Sequence, residues 1–261
     1  ELTNNGTQPF TYTIRENGAT GFTPAVNRAG GNVLVVQRNS ATSATAATTA
    51  LTALGYTFES IDNVAFEARS LANLQTFDAV IFLGSTNATA NNASEAKLTE
   101  YLNAGGKLFI ADNDLGYFTN TGTFYRTMLD STYGGDDPGA ANRALTGFDF
   151  MAGVNAASAD AYPDFYTSGS SSTVIFRYGN NAVGGSFIQR NGYKVVYLAT
   201  DFVNLGTSAS GDVIERTVLE RVLQAIAGSS DSIAWLQEAP VTGVIAGGAS
   251  SDVAIGWNPT V

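Results

Sequence analysis

The stretch LTEYLNAGGKLFIADND, residues 98–114, decides the fold of this chain. Its first half carries apolar side chains at helical spacing and ends on the pair Gly105-Gly106, as helices commonly do. Its second half contains the apolar run 107–111, which is typical of a strand buried on both faces. A helix that ends at glycine and leads into a buried strand is the repeating unit of a parallel α/β sheet.

Two similar units precede this stretch. Residues 33–36 read VLVV and are followed by an Ala/Thr-rich helical segment, 44–54, that ends at Gly55. Residues 79–84, AVIFLG, form the next apolar run after a short helical candidate at 70–75. Three such units predict an α/β fold with a doubly wound, mostly parallel sheet of the flavodoxin-like type.

The pattern changes after the third unit. Residues 112–172 are rich in Gly, Asp and Asn without periodicity, and loop regions of this length are usually either functional or an elaboration over a sheet edge. Strands are predicted at 173–178, 185–190 and 193–199, and a helix at 213–227 ends the domain.

The two ends of the chain differ from the centre. We predict a β lead-in at 1–30, an α/β domain at 31–228 and an additional C-terminal β segment at 229–261. Three short strands cannot form a stable core alone, so the C-terminal segment should pack against another domain or another chain. The candidate interaction residues are Trp235, Leu236, Val244, Ile245, Val253, Ile255 and Trp257.

The chain contains no histidine and no cysteine. Catalytic pairs of serine or cysteine with histidine are therefore impossible, as are zinc sites built on imidazole or thiolate. A formal charge of −10 argues against a nucleic-acid partner, because such partners are bound by clustered Lys and Arg. No apolar run reaches the roughly 18 residues that would span a membrane.

Several segments resemble the class I glutamine amidotransferase-like domains of secreted peptidases and other modular extracellular proteins. The resemblance covers roughly residues 31–228, and the segments that carry it are 51–56, 77–82, 98–114, 161–164 and 192–198. The C-terminal segment resembles the opening strands of an immunoglobulin-like module. Catalytic amidotransferases carry a cysteine after a central strand and a histidine on a later loop. Because neither exists here, the resemblance implies an architecture and an extracellular setting, and not that activity.

A composition rich in Thr, Ser, Ala and Asn, with few lysines and a start at Glu1, indicates a processed extracellular protein. Asn5, Asn87 and Asn92 lie in glycosylation sequons.

Aspartates follow the third strand and recur in the long loop region. Asp112, Asp114, Asp136 and Asp137 are candidate ligands for Ca²⁺, which takes several carboxylate and carbonyl oxygens. The alternative is that these aspartates cap helices and turns. Asp112, Asp114 or Asp164 could also supply an acid/base pair for glycoside hydrolysis. The glycine pairs form no phosphate-binding fingerprint, so no other cofactor is expected.

These patterns favour a non-catalytic extracellular structural or interaction module that assembles with other domains or with copies of itself into a larger, even fibrous, structure through its β ends. Two alternatives stay open at this point. One is a carbohydrate-binding or carbohydrate-processing domain that uses Asp112, Asp114 and Asp164. The other is an accessory spacer domain of a secreted peptidase.

Overall fold

The computed structural model describes residues 31–84, 92–206 and 211–227, together with six short strands near the two ends of the chain. The chain divides into two units. The larger one is Arg28–Gly228, and the smaller one combines Glu1–Asn27 with Ser229–Val261. No helix in the described ranges combines the length and the apolar character needed to cross a bilayer.

The strands, in chain order, are β1 (Leu2–Thr3), β2 (Phe10–Thr13), β3 (Asn32–Gln37), β4 (Thr57–Asp62), β5 (Ala79–Leu83), β6 (Lys107–Ala111), β7 (Ser131–Gly135), β8 (Ala144–Gly147), β9 (Asn155–Ala157), β10 (Phe165–Ser168), β11 (Ser172–Tyr178), β12 (Val183–Arg190), β13 (Tyr193–Leu198), β14 (Leu236–Ala239), β15 (Thr242–Ile245), β16 (Ser250–Ser251) and β17 (Ala254–Trp257). The α-helices are α1 (Ala41–Ala53), α2 (Asn63–Ala68), α3 (Leu71–Leu74), α4 (Asn92–Asn103), α5 (Leu115–Thr119) and α6 (Gly211–Ala227). Shorter helical turns are Phe124–Met128, Ala140–Asn142, Asp149–Met151 and Phe202–Asn204.

The larger unit is built on one sheet of eleven strands in the order β4-β3-β5-β6-β13-β12-β11-β8-β9, with β10 pairing with β12 and β7 pairing with β10. The five strands from β4 to β13 run parallel, and the strands beyond β13 pair antiparallel. The predicted α/β class is confirmed.

The order of the strands reverses between β3 and β5, because β4 lies on one side of β3 and β5 lies on the other. Ligands of doubly wound sheets bind at the carboxyl ends of strands at such a reversal.

Alternation along β3 shows why both faces of the sheet are covered. Val33 and Val35 belong to the core that contains the buried side chains of α1 and α6. Leu34 and Val36 belong to the opposite core, which contains the apolar side chains of α4. Successive side chains of a strand point to opposite faces, so an apolar run such as VLVV requires helices on both sides.

The glycine pair that ends α4 has two different roles. Gly105 adopts a φ of +86°, a left-handed conformation that glycine adopts without steric cost. A Cβ on Gly106 would lie 2.5 Å from the ring of Tyr101, so this position must lack a side chain for the turn to close. The pair therefore fixes the passage from α4 into β6.

In the smaller unit, strands near the beginning of the chain pair with strands near its end. β1 pairs with β16, β2 pairs with β15, and β14 pairs with β17, all antiparallel. The two outer segments therefore contribute to one unit, although they are separated by the whole α/β domain.

Candidate functional site at the carboxyl edge of the sheet

Polar side chains follow the parallel strands at the edge where those strands end. Arg38 follows β3, Asp112 and Asp114 follow β6, and Asp201 follows β13. We call this edge the carboxyl edge. Most of its polar groups are bonded to one another, and their partners determine which of them could meet a ligand.

Asp112 is fully buried and forms an ion pair with Arg38. Arg38 Nη1 donates to Asp112 Oδ2 at 2.9 Å, and the backbone N–H of Asp114 donates to Oδ1 at 2.9 Å. A Cβ on Gly84 would lie 1.8 Å from Oδ2, so the carboxylate occupies the space that a side chain there would need. Burial raises the pKa of Asp112 to about 6, and the charge of Arg38 opposes that rise. The carboxylate is therefore ionised at neutral pH and is bonded at both oxygens.

Asp160 and Asp201 tie the segment after β13 to its surroundings. Asp160 Oδ2 accepts from the Thr200 hydroxyl at 2.5 Å and from the Asp201 N–H at 2.7 Å. Asp201 Oδ1 accepts from the Ser43 hydroxyl, which lies in the first turn of α1. Burial raises the pKa of Asp201 to about 6. These carboxylates connect loops and helix termini, which is a structural function.

A third group of carboxylates lies where α5, β7 and β10 come together. One carboxylate oxygen each from Asp114, Asp136 and Asp164 lies within 4.8 Å of the other two. Asp114 immediately precedes α5, Asp136 immediately follows β7, and Asp164 immediately precedes β10. We call these three residues the acidic triad. Asp114 and Asp164 are buried, whereas Asp136 is exposed, so the triad opens to solvent on the Asp136 side.

Asp164 has an unusual environment for a carboxylate. Its side chain is completely buried, Oδ2 accepts from the Tyr117 N–H at 3.0 Å, and Oδ1 has no hydrogen-bond partner. Burial, reinforced by the charges of Asp114 and Asp112, raises the pKa of Asp164 to about 9. A buried carboxyl oxygen without a partner is costly, so this group requires an explanation.

Tyrosines surround the acidic triad. A Cβ on Gly116 would lie 2.7 Å from the Tyr125 hydroxyl, 2.8 Å from Asp164 Oδ2 and 2.8 Å from the Tyr133 ring. The buried Tyr125 hydroxyl makes no hydrogen bond of good geometry. Burial raises the pKa of Tyr133, and the charges of Asp164 and Asp136 raise it further. These groups therefore converge on the small space that the missing side chain of Gly116 leaves.

The structure separates the four aspartates that the sequence suggested as Ca²⁺ ligands. It brings Asp114 and Asp136 together and adds Asp164, which lies in the same long loop region and which the sequence also suggested for acid/base chemistry. Asp112 is paired with Arg38. Asp137 is paired with Arg143 at 2.8 Å and accepts from the Gly139 N–H at 2.9 Å.

The candidate interaction residues of the C-terminal segment lie in or beside its strands. Leu236 is paired with Trp257, and Ile255 is paired with Glu238. Val244 and Ile245 are paired with residues 11 and 10 of β2. Trp235 and Val253 lie outside the described residues.

Sequence reasoning did not identify Arg38, Asp160 or Asp201. Arg38 and Asp201 each come just after a parallel strand, as Asp112 does, so their position along the chain was an available signal. Asp160 lies in the aperiodic region, where no local pattern indicates its contacts.

No known protein family matches the sequence, and no curated protein matches it either. Solved structures share its fold at low sequence identity. A ThuA-like protein from Bacteroides uniformis aligns with a TM-score of 0.53 and 12% identity, over 79% of this chain and 97% of that one. A glutamine amidotransferase from Thermotoga maritima aligns with a TM-score of 0.51 and 11% identity, over 76% of this chain and 99% of that one.

An exo-β-1,4-mannosidase from Opitutaceae bacterium strain TAV5 aligns with a TM-score of 0.50 and 10% identity, over 75% of this chain. Only 33% of the mannosidase is covered, so the shared fold is about one third of that enzyme. Identities this low show the fold alone. The chain has an amidotransferase-like, flavodoxin-type fold, and its function must be argued from its own residues.

Proposed function

We propose that this chain is a non-catalytic structural or interaction module of an extracellular protein. The observation that carries the proposal is the state of Asp112. This residue follows the central strand β6, and its carboxylate is fully buried and bonded at both oxygens. A nucleophile or a general base must reach a substrate atom, and a carboxylate held in this way cannot do so.

The backbone of the same turn supports the proposal. An activated nucleophile typically sits on a strained turn that exposes its side chain. Among the described residues other than glycine, positive φ angles occur at Asp130, Asp137, Asp149, Asn181 and Asn191. The turn after β6 is not among them, so it lacks that form of strain. It also directs Asp112 inward, towards Gly84 and Arg38.

The β ends are the proposed means of assembly. The smaller unit contains three separate antiparallel pairs among its described strands. Isolated two-stranded pairs are marginal in water, and an unpaired strand edge is a template for further strands. Strand addition from a neighbouring domain or a second copy would complete these pairs. An extracellular setting is supported by the polar, lysine-poor composition.

The proposal is tested by measuring assembly of the full chain by light scattering and negative-stain electron microscopy. We expect species larger than 27.2 kDa, and we expect them to be lost when only residues 28–228 are present. Val244→Pro should also abolish assembly, because Val244 is paired with Thr11 and proline cannot donate a ladder hydrogen bond. Val244→Thr keeps a β-branched residue and is the matched control. A full chain that stays monomeric at all concentrations would contradict assembly.

A second candidate is a carbohydrate-binding accessory domain. Tyr117 is 52% exposed, its ring lies edge-on to those of Phe118 and Tyr133, and its N–H binds Asp164. An exposed aromatic beside carboxylates is suited to stacking against a sugar ring. The mannosidase with a similar domain supports an accessory setting. Affinity electrophoresis against a panel of polysaccharides tests this candidate. Retardation that is lost in Tyr117→Ala but kept in the control Tyr162→Ala, another exposed tyrosine, would support this candidate. If the wild type is not retarded, the polysaccharides tested are not its ligands.

A further inference from the structure

We propose that the acidic triad Asp114, Asp136 and Asp164 is a divalent cation site that takes Ca²⁺ and joins three loops of the α/β domain. The proposal does not depend on the proposed function, because it rests on the triad itself. Each ligand comes from a different part of the chain, next to α5, β7 or β10. A cation bound there would therefore connect the loop after β6 to the β7–β10 pair.

The spacing of the oxygens fits a single Ca²⁺ ion. The three oxygens lie within 4.8 Å of one another. Ca²⁺ binds oxygen at about 2.3–2.6 Å, so two of its ligands are separated by at most about 5 Å. Mg²⁺ demands near-ideal octahedral geometry and usually binds through one or two carboxylates, whereas Ca²⁺ takes several carboxylates in flexible geometry. Three carboxyl groups from separate loops therefore favour Ca²⁺, and waters can complete the coordination through the open side at Asp136.

The second observation is independent of the spacing. Oδ1 of Asp164 is buried without a hydrogen-bond partner, next to two further carboxylates. Natural proteins leave few such atoms, and those that remain often mark an ion or a functional group. The Tyr125 hydroxyl, also buried, lies beside the same Gly116 position as Asp164 and could donate to a water on the cation.

The charges around the triad support a cation. Asp164 faces the carboxylates of Asp114 and Asp112, and its described hydrogen bond comes from a neutral backbone N–H. Arg38 is paired with Asp112, and Arg143 is paired with Asp137. Three clustered carboxyl groups disfavour one another's ionisation, and a divalent cation would supply the counter-charge that lets all three bind as carboxylates.

The burial of Asp164 and Asp114 favours a cation over a sugar as the ligand of the acidic triad. Asp164 has no exposed surface and Asp114 has little, so a glycosidic oxygen cannot approach both. A monatomic ion can enter past Asp136, which is exposed.

Isothermal titration calorimetry of the full chain, stripped with EDTA and titrated with CaCl₂, tests the proposal. We expect saturable binding of one Ca²⁺ and at least ten-fold weaker binding of Mg²⁺. Asp136→Asn should weaken Ca²⁺ binding about 10- to 100-fold, since it replaces a charged carboxylate ligand on the surface with a neutral amide oxygen without disturbing the core. Asp149→Asn is the matched control, an exposed aspartate outside the triad, and should bind like the wild type.

Asp164→Asn provides a second readout. Asparagine can still accept from the Tyr117 N–H, and it removes a buried carboxyl group from the triad. Without Ca²⁺, this variant should melt at the same temperature as the wild type or higher. With Ca²⁺, only the wild type should gain thermal stability. The proposal is overturned if the wild type binds no Ca²⁺, if Asp136→Asn binds it equally well, or if Mg²⁺ binds more tightly.

Discussion

Arg38 and Asp112 form a buried ion pair that links the ends of two strands, β3 and β6, across the intervening strand β5. Nη1 and Oδ2 are 2.9 Å apart, and the two side chains are 6% and 0% exposed. Because both side chains are buried, water cannot take the place of either partner when the other is removed. The pair therefore fixes the turn after β6 and, through the Asp114 N–H bonded to Asp112, the first member of the acidic triad.

Arg38→Met should destabilise the chain strongly. It leaves the Asp112 carboxylate buried without its counter-ion, and breaking a buried pair in this way typically costs about 3–5 kcal/mol. The measurement is the free energy of unfolding from urea titration at pH 7. Lys97→Met is the control, because Lys97 pairs with the half-exposed Glu100 on the surface of α4. That change should cost less than about 0.5 kcal/mol. Equal losses for the two variants would mean that the buried pair contributes no more than a surface pair.

Gly84→Ala should disturb the same ion pair by displacing the Asp112 carboxylate. The added Cβ would lie 1.8 Å from Asp112 Oδ2 and 2.5 Å from its Cγ, so the carboxylate must move away from Arg38. We expect a loss of about 2 kcal/mol or more, since overpacking alone costs about 1–3 kcal/mol.

Gly179→Ala is the matched control for that prediction. Its added Cβ would lie 3.3 Å or more from the nearest atoms, the backbone of Asn142, which would need to move by only a few tenths of an ångström. If Gly84→Ala unfolds at the same urea concentration as Gly179→Ala, the close approach between Gly84 and Asp112 does not constrain the native state.

Local patterns were sufficient to predict the central strands β3, β5 and β6 and the helices α1, α4 and α6. The apolar runs of β3, β5 and β6 lack polar interruptions because both faces are buried, and this is visible in the sequence. The turn between β12 and β13 also has a local signature, because Asn-Gly pairs favour tight hairpin turns. Asn191 and Gly192 adopt φ angles of +48° and +87°, as a tight hairpin turn requires.

The acidic triad could not be predicted from local patterns. Asp114, Asp136 and Asp164 are separated by long stretches of aperiodic chain, and their meeting depends on the pairing of β7 with β10 and of β10 with β12. The chain also offers neighbours that look equivalent in the sequence. Asp112 is paired with Arg38 and Asp137 with Arg143, whereas Asp114 and Asp136 meet Asp164. Tertiary contacts, and not residue types, separate structural carboxylates from candidate ligands.

Asp201 should make the stability of the chain depend on pH in weakly acidic solution. Burial raises its pKa from the ordinary 3.8 to about 6, with Asp160 and Asp112 adding to the rise and Ser43 and Ser40 opposing it. Between about pH 4 and pH 6 the native state therefore binds more protons at Asp201 than the unfolded state does. Its contribution is most favourable below pH 4 and is lost as pH rises through 6, by about 3 kcal/mol in all.

The substitution Asp201→Asn should remove this dependence. An asparagine side chain does not titrate, and its oxygen can still accept from Ser43. The free energy of unfolding, measured by urea titration at intervals from pH 4 to pH 7, should fall less steeply for Asp201→Asn than for the wild type. Asp112 titrates in the same window in both proteins, so the difference between their curves reports Asp201 together with its electrostatic coupling to Asp112. Asp149→Asn, at an exposed position, should retain the wild-type slope. Parallel curves for Asp201→Asn and the wild type would show that Asp201 is already ionised at pH 4 in the folded protein.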